Sequence, residues 1–109
     1  MEKMQFTFLK GDTMSRKEIL DALRKYKEEL SEKYDILEIG LFGSVARNEI
    51  SKNSDIDIVI RVAAPDFFML AGIKDFLQER FLQSVDIVVY RMGMNQFLKN
   101  RIDTEAIYV

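Results

Sequence analysis

The sequence predicts an α/β (α+β) domain: one mixed β-sheet with helices packed mainly on one face. Three observations carry this. Three short apolar segments read as strands, two longer segments and one shorter one read as helices, and their order runs helix, strand, strand, helix, strand, helix. A chain of 109 residues also favours a single core, with roughly 65% of the unfolded surface buried on folding. The expected division is a leader over residues 1–13 and one domain over residues 14–109.

Within the leader, Gln5-Phe6-Thr7-Phe8 alternates as a short strand and Gly11-Asp12-Thr13 reads as a turn. Met14 directly precedes the first helix signal and offers an alternative translation start. Ser15-Arg16-Lys17-Glu18 fits a capping box, in which the Ser and Glu side chains satisfy each other's orphan backbone donors. Ile19, Leu23, Tyr26 and Leu30 then lie on one stripe of a charged helix of about 18 residues. Residues 36–42 read as a strand ended by Gly43-Ser44, with a short helix from Val45 and a polar loop over 48–54.

Residues 55–62 form the clearest strand. A period of two puts Ile56, Ile58, Ile60 and Val62 on one face and Asp55, Asp57 and Val59 on the other. Pro65 suits a helix start, and residues 67–81 carry an apolar face through Leu70, Ile73, Leu77 and Phe81. The run Phe67-Phe68-Met69-Leu70 exceeds one helical face, so it is either buried on two sides or an exposed contact surface. A third strand covers 84–90, a short helix 95–102, and a final strand 106–109.

Composition narrows the chemistry. There are 16 Lys+Arg against 18 Asp+Glu, a net charge of −2, so no basic excess exists to hold a nucleic-acid backbone. With no Cys and no His, disulfides, the usual zinc sites and Ser-His or Cys-His nucleophiles are excluded. Any metal must be held by oxygen. No apolar run approaches the ~18 residues of a membrane span, and the N-terminus is too weakly apolar for a signal peptide, so a cytoplasmic protein is expected.

Taken singly, the strand carboxylates have ordinary explanations: Asp55 as a loop cap, Asp57 and Asp86 as polar positions on a solvated face, Gly43-Ser44 as a turn. Together they point elsewhere. Asp55 and Asp57 stand about 6.6 to 7 Å apart on one strand face, within reach of a shared cation. Should Asp86 arrive from a neighbouring strand in register, three carboxylates converge and repel each other unless a divalent ion neutralises them. Two oxygen-bound metals are a standard device for displacement at phosphorus. Gly43 allows close backbone approach to a phosphate, and Ser44 adds a hydroxyl donor. The chemistry this suggests is phosphoryl or nucleotidyl transfer.

Gly43-Ser44, ten residues, then Asp55-x-Asp57 resembles the Gly-Ser-x10-Asp-x-Asp signature of the polymerase-beta-like nucleotidyltransferase superfamily. At about 5–7% per position, the pattern arises by chance on the order of once in a thousand such chains. The flanks 41–47 and 54–59, Ser84-Val85-Asp86-Ile87-Val88 and the closing Glu105-Ala106-Ile107-Tyr108-Val109 are similar to the blocks of the minimal nucleotidyltransferases, the MNT antitoxins paired with HEPN toxins.

The resemblance covers roughly residues 14–109 and implies a nucleotidyltransferase-like fold. It implies that Gly43 and Ser44 hold the triphosphate of ATP, that Asp55 and Asp57 ligate Mg²⁺ (Mn²⁺ as an alternative), and that Asp86 assists the metal that activates the attacking hydroxyl. Arg47 lies in the family block, either as a phosphate contact or as a surface arginine, and Asn48 stands where Gly is frequent. Only about twenty residues follow Asp86, too few for an acceptor-binding domain, so a partner protein is expected to present the acceptor. The implied partner is a HEPN toxin in a hetero-oligomer, modified by AMP on a hydroxyl, with tyrosine expected. A non-catalytic antitoxin acting by occlusion and a transferase for small molecules such as aminoglycosides are the alternatives.

Overall fold

The computed structural model describes residues 14–49 and 55–109. The expectations for residues 1–13, and for the loop over 50–54, lie outside these residues.

The capping box forms as expected. Ser15 Oγ accepts from the Glu18 N–H at 3.1 Å, and Glu18 Oε1 accepts from the Ser15 N–H at 2.8 Å. Met14 before the cap and Ile19 one turn in are both buried in the core, the pairing of a hydrophobic staple. Helix α1 runs Arg16–Ser31 and buries Ile19, Ala22, Leu23, Tyr26 and Leu30.

Strand β1 (Ile36–Phe42) leads into the four-residue helix α2 (Gly43–Ala46), and β2 spans Ile56–Val62, so Asp55 immediately precedes the strand. Helix α3 (Phe67–Phe81) takes Asp66 as its N-cap, whose side chain accepts from the Met69 N–H at 2.9 Å. Strand β3 is Val85–Val89, helix α4 is Gln96–Glu105, and β4 is Ile107–Tyr108. Helix α4 runs three residues beyond its expected end, and Glu105 on its last turn is held by contacts with α2 that no local pattern encodes.

The sheet order is β3-β2-β1-β4. β1 pairs antiparallel with β2 and with β4, whereas β2 and β3 are parallel. A parallel pair requires a crossover, which α3 supplies. Ile56, Ile58, Ile60 and Val62 all face the larger core, with α1 and the Ile73, Leu77 and Phe81 side of α3. The opposite face carries a smaller core in which Phe42 and Val59 meet Ile102 of α4. The two long helices therefore share one face, and α4 alone packs on the other. Two-sided burial of the Phe67–Leu70 run does not occur: Phe67 is 76% exposed and Phe68 83%, while Met69 and Leu70 of the same turn pack against the larger core.

Candidate active site

Strand β1 ends in Phe42 with extended backbone, and the chain turns sharply at Gly43, whose φ is +77°. That left-handed value favours glycine, and space demands it too. A Cβ on Gly43 would overlap the Asp57 carboxylate. The turn is braced from behind, where Arg16 Nη1 donates to the Ala46 carbonyl at 2.9 Å. It closes at Asn48, whose φ of 64° suits the Asn or Gly expected there.

Asp57 sits one register step from the turn, paired across β1–β2 with Phe42. Across the parallel β2–β3 pair it stands directly opposite Asp86, so both side chains emerge on the face covered by α4. Burial, first, and then the neighbouring carboxylates of Asp86 and Asp55 push the Asp57 carboxyl above its ordinary value, opposed by Arg101 and Arg47. Asp55 and Asp86 are exposed and Asp57 is half-buried. No three acidic side chains among the described residues are close enough to hold a cation as they stand. The donor set itself is oxygen only, carries uncompensated negative charge, and fits a hard divalent ion in chemistry. Among the described residues no Lys or Arg forms an ion pair with Asp55, Asp57 or Asp86.

Arg47, expected either as a phosphate contact or as a surface arginine, is exposed and already engaged by two carboxylates. Its Nη1 donates to both oxygens of Glu105 at 3.0 and 3.1 Å, and its Nε donates to Glu49 at 3.1 Å. Glu105 also accepts from the Gly43 N–H at 3.3 Å and lies 3.6 Å from Arg101. The sequence reading missed both Glu105 and Arg101. Glu105 lies in the closing block similar to the minimal nucleotidyltransferases, and its i,i+4 spacing from Arg101 is a further local signal, but neither reveals the contact with Gly43 and Arg47.

A sharp strand-to-helix turn is packed against one of two facing strand carboxylates, with a third two residues away, the arrangement that the resemblance to nucleotidyltransferases implies. The comparisons agree: the family described as Nucleotidyltransferase domain matches residues 23–109, and the chain belongs to that family. A Methanocaldococcus jannaschii protein named "putative protein adenylyltransferase" is 40% identical over 93 residues, covering 84% of this chain and 95% of the relative. A solved chain described as a "putative minimal nucleotidyltransferase" superposes with a TM-score of 0.71 at 30% identity, covering 89% of this chain and 98% of that one. A chain from the complex of tri-AMPylated Shewanella oneidensis HEPN toxin with MNT antitoxin has the same fold, with a TM-score of 0.60 at 22% identity over 83% of this chain and 69% of that one. The likeness to minimal nucleotidyltransferases that the motifs suggested is thus found. No helix among the described residues is long and apolar enough to cross a membrane.

Proposed function

We propose that this chain transfers AMP from ATP to a hydroxyl of a partner HEPN-type toxin and so acts as an antitoxin. The observation that carries the proposal is the direct opposition of Asp57 and Asp86, with the Gly43 turn packed against Asp57. The relative named as a protein adenylyltransferase and the solved complex with an AMPylated HEPN toxin support it.

In this reading Asp55, Asp57 and Asp86 hold Mg²⁺ (Mn²⁺ serves as well), which supplies positive charge against the triphosphate and lowers the cost of attack at phosphorus. Gly43 and Ser44 hold the outer phosphates; among the described residues the Ser44 hydroxyl has no protein partner that a phosphate would have to displace. Arg47 contacts phosphate only by exchanging a carboxylate partner. The acceptor hydroxyl, which we assign to tyrosine, enters beside Asp86. Its oxygen bonds the α-phosphorus, the bond to the bridging oxygen of the β-phosphate breaks, and pyrophosphate leaves. The hydroxyl proton passes to Asp86, which is exposed to solvent, and then to water.

AMP on a toxin hydroxyl adds negative charge and bulk where RNA would bind. The partner joins this chain in a hetero-oligomer, and both proteins work in the cytoplasm. Purified protein, Mg²⁺ and α-labelled ATP should label the toxin encoded beside it and add one or more AMP masses, and Asp57→Asn should stop this. The exposed Phe67–Phe68 pair favours a second reading, in which docking alone occludes the toxin. Neutralisation in cells by Asp57→Asn protein, with no mass shift on the toxin, would establish it.

A further inference from the structure

Glu105 is the point at which α4 grips the turn beside the carboxylates. Its side chain, 17% exposed, accepts from the Gly43 N–H at 3.3 Å and takes the Arg47 guanidinium on both oxygens, with Arg101 at 3.6 Å. A largely buried carboxylate that meets two guanidinium groups and one backbone donor is well satisfied. Gly43, held by this bond on its N–H, packs against the Asp57 carboxylate with its Cα. One residue thus separates Glu105 from the centre of the acidic group. Arg101 and Arg47 lie within electrostatic reach of the Asp57 carboxylate, yet among the described residues neither forms an ion pair with it.

We propose that Glu105 is a positioning residue: it holds the guanidinium groups of Arg47 and Arg101 away from Asp55, Asp57 and Asp86, and fixes the Gly43 turn, so that the carboxylate oxygens remain free for a divalent cation. An arginine fork matches a carboxylate bidentately and would occupy the oxygens a metal needs. Glu105 supplies a competing carboxylate, whose two oxygens share Arg47 Nη1 at 3.0 and 3.1 Å. The inference rests on the metal-dependent reading given above and concerns a different residue from any assigned there.

The test is a double-mutant cycle read by binding of Mn²⁺ alone, without nucleotide, by electron paramagnetic resonance of the free ion. Glu105→Gln keeps an acceptor for the Gly43 N–H but loses its hold on Arg47, and Mn²⁺ affinity should fall about tenfold. Arg47→Gln alone should change affinity less than about twofold, because Glu105 already removes that arginine from the site. The double variant should recover part of the loss, and the triple variant that adds Arg101→Gln should return to within about threefold of the parent. Glu105→Asp keeps the charge but shortens the reach, and should behave as Glu105→Gln does. Circular-dichroism melts check that each variant is folded at the assay temperature.

Unchanged Mn²⁺ affinity in Glu105→Gln, with binding lost in Asp57→Asn, overturns the role of Glu105 and leaves the function standing. Additive effects of the two single changes, or wild-type affinity in Glu105→Asp, also overturn it, since charge at a distance would then suffice. If the parent and Asp57→Asn bind Mn²⁺ equally poorly, the metal reading and the role of Glu105 fall together.

Discussion

Asp57 on β2 and Asp86 on β3 stand directly opposite each other across a parallel strand pair, with no basic residue paired to either among the described residues. Two like charges in that relation destabilise the strands that carry them unless something else neutralises them. The arrangement makes sense as stored repulsion that a ligand relieves.

That repulsion should be visible as stability. The Asp57 carboxyl is raised above its ordinary value, so between the unfolded and folded values the native state binds more protons than the unfolded one. Stability therefore falls as pH rises through that window. In EDTA at pH 7, Asp57→Asn should melt above the parent, because the amide carries no charge for Asp86 and Asp55 to repel. The difference should shrink as pH falls toward 4. Added Mg²⁺ should raise the parent's melting temperature and leave the variant's unchanged.

Asp86→Asn separates binding from chemistry. With Asp55 and Asp57 intact, ATP affinity by calorimetry should stay within a few-fold, while the transfer rate falls by roughly 10² or more. Normal transfer by a folded variant would remove Asp86 from the reaction.

Gly43 and Gly93 offer a paired test, since both have positive φ, +77° and +85°. A Cβ at Gly43 meets the Asp57 carboxylate, whereas at Gly93 it meets open space. Gly93→Ala should cost only the backbone strain, about 1 kcal/mol by urea denaturation. Gly43→Ala should cost about 2–3 kcal/mol and abolish ATP binding. Equal costs would show that the Asp57 contact contributes nothing.

Removal of residues 1–13 should leave fold and nucleotide binding intact, because the staple and cap begin at Met14 and Ser15. Ser15→Ala in the same background should lose about 1 kcal/mol. A melting temperature lowered by ten degrees on truncation alone would mean that the leader packs on the domain.

Local pattern and global fold divide cleanly in this chain. The capping box at Ser15, the Ile19–Leu30 stripe, the period-two faces of β2 and the bounds of α3 were all legible, because each depends on residues within a turn or two of one another. So was the motif from Gly43 to Asp57, whose spacing is covalent.

What the chain order could not supply was the register of Asp86, the projection of Phe67 and Phe68, and the grip of Glu105 on Gly43 and Arg47. Period two restricts Asp86 to one of two sheet faces. Which face it takes, and which β2 residue it stands opposite, follows from how the α3 crossover packs. The Glu105 contact spans 62 residues to Gly43, and it forms because α4 packs on Phe42 and Val59, the face opposite the long helices. The sequence by itself determined which side chains could make a nucleotidyltransferase site. Only tertiary packing decided that Asp57 would face Asp86 while a glutamate from the end of α4 held the arginines aside, because strand register and helix docking are set by contacts between residues far apart in the chain.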